Sequence, residues 1–180
     1  GPCTVLGIHG ILVDNLSSIY FSVGAELAPH ANVLLYDLRG HGRSDRPPTG
    51  YDLDSSLSDL NALINHIKPT RPLYLLGHSF GGILALAYAA KYPSHIDGLM
   101  LLDPPLPIPG WGKQIVQVFE ITGEEKNRMI RDSYIRLHGK AEGRKWQKLE
   151  STAMALAKET SLITDLTHSR ALTPDDWRAI

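Results

Sequence analysis

Four short apolar runs, each followed by a glycine or a polar residue, constrain this chain more than any other feature of it. They are Val5-Leu6-Gly7-Ile8 before His9-Gly10, Val33-Leu34-Leu35-Tyr36 before Asp37, Leu73-Tyr74-Leu75-Leu76 before Gly77, and Leu99-Met100-Leu101-Leu102 before Asp103. Continuous rather than alternating apolar character marks a strand buried on both faces. Between the runs the spacing turns helical. Residues 16–27 form one such stretch, and Ile83, Leu84, Ala87 and Ala90 line another. A third carries Leu57, Leu60, Leu63, Ile64 and Ile67, with Asp52, Asp54 and Ser55 available to cap it. Strands alternating with helices predict an α/β fold, a mostly parallel sheet flanked by helices. Right-handed crossovers put the C-terminal ends of all the strands on one edge, where open α/β sheets bind ligands. His9, Asp37, Ser79 and Asp103 all fall there.

The third run leads into Gly77-His78-Ser79-Phe80-Gly81-Gly82 and then into a helix-forming run. A serine between glycines at a strand–helix junction has the form G-x-S-x-G, a nucleophile elbow. The turn at the serine is strained, and its neighbours must be small where strand and helix backbones nearly touch. In return, a hydroxyl stands at the strand end above a helix N-terminus, whose N–H groups can stabilise an oxyanion. A loop after the first strand can supply a second N–H, which pairs Ile11 with Phe80. The bland alternative is a glycine-rich turn with an incidental serine, and the His9-Gly10 strand end in the same chain weighs against it. His78 is not read as a base, because adjacent residues at a tight turn project apart. His78 and His41 read instead as hydrogen-bonded scaffold groups. The loop from Asp37 to Asp45 lacks the strand–GxxxxGK[ST]–helix order of a phosphate cradle and reads as a rigid wall of the site.

The pattern changes after Pro104-Pro105-Leu106-Pro107, which ends the strand pattern. Helical stripes follow: Ile115, Val118 and Phe119; then Ile130, Tyr134 and Leu137; then Trp146, Leu149, Ala153 and Leu156. Thr173-Pro174-Asp175-Asp176 is a helix start, with a capping Thr, Pro in the first position and acids in the first turn. The expected division is therefore a core in residues 1–104 and a helical cap or lid in residues 105–180. Trp111, Phe119, Tyr134 and Trp146 offer an apolar acyl pocket, and core packing explains them equally well.

With 180 residues, 43% of them hydrophobic, the chain can bury one real core. Eighteen basic residues against 19 acidic ones, with no basic cluster, argue for no nucleic acid partner. No apolar run has membrane-spanning length. The single cysteine, Cys3, allows no internal disulfide and, with no signal-peptide pattern, points to the cytoplasm. No Cys/His cluster has ligand spacing, so neither metal nor cofactor is expected.

Taken as a set, His9-Gly10, Asp37-Leu38-Arg39-Gly40-His41-Gly42-Arg43-Ser44 and Gly77 to Gly82 resemble the α/β-hydrolase superfamily in order and spacing. The likeness extends over residues 3–104 and includes the Leu99 to Pro104 strand. It implies Ser79 as nucleophile and the backbone N–H groups of Ile11 and Phe80 as the oxyanion hole. His9, Gly10, Gly77, His78 and Gly81 then shape the site. The implied activity is hydrolysis of an ester, thioester or related acyl bond in a small-molecule substrate, through an acyl-enzyme. In that family the triad runs Ser, acid, His, with two strands before the His-Gly strand and an acid-bearing strand and histidine loop after the lid. The histidine and its acid are accordingly expected from outside these 180 residues. Asp103, at a strand end from which some members supply the acid, is the alternative; its competing role is to cap the turn before Pro104. His138 and His168 fall in helical stretches and read as surface or packing residues. A complementing C-terminal fragment, or self-association, would cover the open sheet edge. The alternative function is a non-catalytic ligand-binding or interaction protein on the same scaffold, and fold alone leaves carbon–carbon or haloperoxidase-type chemistry open.

Overall fold

A computed structural model describes residues 1–120, 128, 131, 132, 135 and 143–180, with backbone alone at 118–120 and 145. Strands β1 (Thr4–Ile8), β2 (Asn32–Tyr36), β3 (Leu73–His78) and β4 (Gly98–Leu102) form one parallel sheet in the order β2-β1-β3-β4. Ile8 pairs with Tyr36 on one side and Gly77 on the other, and Gly77 pairs with Leu101. That register brings the chain out of all four strands at one edge. His9, Asp37, Ser79 and Asp103 sit just beyond it.

The helices are α1 (Leu16–Ile19), α2 (Ala25–Leu27), α3 (Leu53–Ile67), α4 (Phe80–Lys91), α5 (Trp111–Glu120), α6 (Gly143–Glu159), α7 (Leu162–Thr167) and α8 (Pro174–Ala179). The single helix expected over residues 16–27 is broken by a π-helical turn, Tyr20–Gly24. Within it the Ser22 hydroxyl donates to the Ser18 carbonyl at 2.7 Å, competing with the regular ladder. Elsewhere the end signals act as the residues demand. Asp52 caps α3 by accepting from the Ser55 N–H at 2.8 Å. Thr173 and Asp176 close a reciprocal capping box around Pro174 at the start of α8.

Alternate residues of each strand face opposite sides. Leu6, Ile8, Leu73 and Leu75 join Leu57 and Leu60 of α3 and Ile83 and Leu84 of α4 in the main core. Val5 and Leu76 turn the other way, onto Ile19 and Ala31. Both faces are therefore covered. The main core continues through Trp111, Val116, Leu156, Leu162, Leu166 and Leu172, so the change of pattern after residue 104 is no break in packing. Ile130, Tyr134, Leu137, His138 and the Phe119 side chain lie outside the described residues. Among the described residues no helix is long and apolar enough to cross a membrane.

Candidate active site

β3 ends at His78 and α4 begins at Phe80, so Ser79 makes the whole turn between them. Its backbone sits at φ +51° and ψ −120°, a left-handed conformation costing about 1–3 kcal/mol for a non-glycine residue. Hydrogen bonds on both sides hold it there. The Ser79 N–H donates to the Leu102 carbonyl at 3.0 Å, and its own carbonyl accepts from the Gly82 N–H at 2.9 Å. The surrounding glycines are dictated by contact. A Cβ on Gly77 would stand 2.4 Å from the Gly81 carbonyl oxygen, and one on Gly81 would stand 2.2 Å from that of Ile8. One on Gly82 would meet Pro104 Cβ at 2.7 Å.

The loop after β1 lies against this turn. A Cβ on Gly10 would fall 3.3 Å from Ser79 Cβ. Within the loop, the Gly10 N–H donates to Asp14 Oδ2 at 2.7 Å and the Leu12 N–H donates to His41 Nε2 at 2.8 Å. Leu12 is itself left-handed, at φ +80°. Between these two tied amides, the N–H of Ile11 donates to no described group. The N–H of Phe80 is likewise unspent at the start of α4.

Two buried histidines act as struts. His9 Nε2 accepts from the Leu38 N–H at 2.9 Å, so the proton sits on Nδ1, which lies 2.5 Å from the Gly10 carbonyl. His41 repeats the arrangement, with Nε2 accepting from Leu12 and Nδ1 donating to the Arg39 carbonyl at 2.9 Å. Their rings are 5.3 Å apart. Burial pushes His9 below the ordinary imidazole value, and burial together with the neighbouring His9 lowers His41 to about 4. Both are neutral at pH 7.

His78 donates from Nδ1 to Asp14 Oδ2 at 3.0 Å. Burial on its own would raise the Asp14 carboxyl; the His78 hydrogen bond, His9 and Ser18 outweigh it and hold that carboxyl well below the usual range. Asp37 stiffens the second loop. Its oxygens accept from the Leu16 and Arg43 N–H groups at 2.9 and 3.0 Å, and its carbonyl accepts from the Ser44 hydroxyl at 2.6 Å. Gly42 packs so closely that a Cβ there would lie 2.1 Å from the Asp37 carboxyl.

Asp103 stands beside the elbow, one residue past the His78–Leu102 pairing, exposed and at φ +47°. Its side chain makes no hydrogen bond to a described group, so the cap expected before Pro104 is not made there. His168 closes α7 locally, with Nδ1 2.8 Å from the Thr164 carbonyl. No described side chain hydrogen-bonds to Ser79 Oγ.

The aromatic residues of the helical half take structural positions. Trp111 is fully buried, donates from Nε1 to the Arg170 carbonyl at 2.9 Å, and sets its ring 6.1 Å from that of Phe80. Trp146 packs with Val13 and Leu149. A cavity of about 370 Å³, lined by Leu12, Asp14, His41, Arg43, Lys148 and Leu156 among others, opens beside the loop after β1. A larger groove, about 630 Å³, runs along β2 and shares no residue with this site. Asp14 is the residue that pattern reading passed over. Its only signal is an acid four residues beyond a strand-ending His-Gly, directly after the apolar Ile11-Leu12-Val13.

The family model described as the alpha/beta hydrolase fold matches residues 4–177. The chain is similar to a proline iminopeptidase of Saccharolobus solfataricus, 35% identical over 102 residues, covering 56% of this chain and 33% of the relative. It is similar to the lipase LipV of Mycobacterium tuberculosis, 36% identical over 110 residues, covering 61% and 40%. Among solved structures, a thermophilic esterase from Thermogutta terrifontis superposes with a TM-score of 0.69 at 26% identity, covering 94% of this chain and 65% of that one. The chain thus spans roughly a third to two fifths of the length of the two curated relatives. With the strand–serine–helix turn, the parallel sheet and the match along nearly its whole length, the chain belongs to the α/β hydrolase fold family.

Proposed function

We propose that this chain carries the nucleophile and oxyanion hole of a serine hydrolase acting on an ester, thioester or related acyl bond. The observation that carries the reading is Ser79, held left-handed at the strand–helix turn with the Gly10 loop pressed against its Cβ. The two unspent N–H groups, of Ile11 and Phe80, belong to the backbone segments that meet there. In the proposed reaction Ser79 Oγ attacks the acyl carbon and the developing oxyanion is held by those N–H groups. The alcohol, thiol or amine then leaves with the proton, and water releases the acyl group. Proteins named as an iminopeptidase, a lipase and an esterase are among those similar to this chain, which supports a hydrolase reading. A serine hydroxyl needs a base to attack at neutral pH, and no described side chain reaches Oγ. The histidine, with its acid, is assigned to sequence outside these 180 residues; Asp103, adjacent in register, is the alternative acid. Residues 105–180 are assigned to a lid over the site.

The decisive experiment is Ser79→Ala in the full-length protein with a nitrophenyl ester. Turnover should fall by roughly three orders of magnitude or more, and a fluorophosphonate should label the parent protein at Ser79 and not the variant. Unchanged turnover would remove Ser79 from the mechanism. The absence of a described partner for Oγ favours one second reading, a ligand-binding protein on a hydrolase scaffold; tight small-ligand binding with no fluorophosphonate labelling would select it.

A further inference from the structure

The elbow and the loop after β1 come from different strands, and sheet pairing between them stops at Ile8 and Gly77. Beyond that point the spacing between Ile11 and Phe80 depends on whatever links the two loops. One carboxylate does so. Asp14 Oδ2 accepts from both the Gly10 N–H at 2.7 Å and His78 Nδ1 at 3.0 Å, while Oδ1 accepts from the Asn15 N–H at 2.9 Å. Asp14 is 4% exposed, so water has little access to compete for these bonds. Gly10 immediately precedes Ile11, and His78 immediately precedes Ser79. On the far side of Ile11, His41 fixes Leu12.

We propose that Asp14 and His78 are positioning residues that set the spacing between the two oxyanion donors, stabilising the transition state more than the bound substrate. The inference rests on the reading of Ser79, Ile11 and Phe80 given above. The physical reason is that oxyanion donors act only when both lie about 2.7–3.1 Å from the developing charge. A displacement of about 1 Å costs up to roughly a hundredfold in rate. A buried carboxylate bridging the two loops is short, charge-assisted and unable to slip without leaving an unpaired buried group. Its effect should therefore fall on kcat, because a ground-state carbonyl gains less from these donors than the tetrahedral intermediate does.

The test is made in the full-length protein with a nitrophenyl ester. His78→Phe keeps a ring and removes the donor, whereas His78→Asn keeps an N–H near the Nδ1 position. His78→Phe should lower kcat by about tenfold or more with KM held within about threefold, and His78→Asn should recover most of that loss. If His78→Phe does not fold, Asp14→Asn takes its place. An amide must turn its NH₂ toward either the Asn15 N–H or the Gly10 N–H, so it loses at least one bond and should again lower kcat at constant KM. A His78→Phe enzyme matching the parent, a loss appearing in KM alone, or an Asn variant as poor as Phe would overturn the proposal. Ser79→Ala is the internal control. Activity surviving in that variant breaks the nucleophile reading itself, whereas an inactive Ser79→Ala beside an unimpaired His78→Phe breaks only the positioning role.

Discussion

The sheet edge and the helical segment after Pro104 share one core and are built by different means. Every polar or charged residue that is buried among the described residues lies early in the chain: Thr4, His9, Asp14, Ser18, Asp37, His41 and Ser56. Most of these tie one loop at the sheet edge to another. The helical segment buries Trp111, Val116, Trp146, Ala153, Leu156, Leu162, Leu166 and Leu172, and its ion pairs, such as Arg170 with Asp54, sit at the surface. Asp165 marks the seam, half-buried and accepting from the Gly50 and Tyr51 N–H groups at 2.9 and 2.8 Å. Apolar burial is non-directional, so it stabilises without dictating a geometry. Buried hydrogen bonds are directional and costly to leave unmade. The first region fixes positions; the second supplies burial.

The sharpest way to break this contrast is a single methyl at the elbow. Gly81→Ala puts a Cβ against the Ile8 and His9 carbonyls, at 2.2 and 2.6 Å, where no side-chain motion gives relief. It should cost about 3 kcal/mol or more in a urea unfolding curve and lower nitrophenyl esterase activity together with stability. A cost below about 1 kcal/mol would show that strand and helix can separate there.

A comparable effect, spread over pH, comes from His41. Its folded value lies near 4, against 6.5 for a free imidazole, so between those values the unfolded chain takes up a proton that the folded one refuses. Stability is therefore fully present above about pH 6.5 and falls as pH drops toward 4, by up to about 3 kcal/mol. His41→Gln can keep an acceptor toward Leu12 but does not titrate, and should flatten that part of a plot of unfolding midpoint against pH. An unchanged slope would assign the acid sensitivity elsewhere, His9 being the nearest candidate.

The mildest expected change is the same substitution carried into the helical half. A Cβ on Gly110 would have nothing within 4 Å of it, and the position differs from an ordinary one only in its φ of +88°. Gly110→Ala should cost about 1 kcal/mol, with kcat and KM of the ester reaction unchanged. A loss as large as that at Gly81 would erase the distinction between the two regions.

How much of this was legible in the residues follows the same line. The strands could be placed because each is built on a continuous apolar run, and the elbow because its turn admits only small neighbours. Thr173 and Asp176 announced their helix start through local chemistry. By contrast, Asp14 bonds to a residue 64 positions away, and His9 and His41 each reach across 29. Such ties depend on the sheet order, which no local pattern encodes. The π-helical turn at Tyr20 was hidden for a different reason, since one serine hydroxyl diverts a carbonyl within an otherwise helical spacing. In the helical half, amphipathic stripes showed that a face is buried and not what it is buried against. Residues 105–180 could thus be set apart by pattern while their side chains complete the core of the first half.

The indole of Trp111 gives the protein an optical consequence. Of the three tryptophans, Trp111 is fully enclosed with its ring tilted against that of Phe80, the residue bearing one proposed oxyanion donor, while Trp177 is 39% exposed. Selective quenching by iodide or acrylamide can silence the exposed emitter and leave a blue-shifted signal from the two buried indoles, Trp111 and Trp146, of which Trp111 sits against the elbow; Trp146→Phe then isolates it. The molecule carries its own fluorophore for following what happens at Ser79, with no label attached.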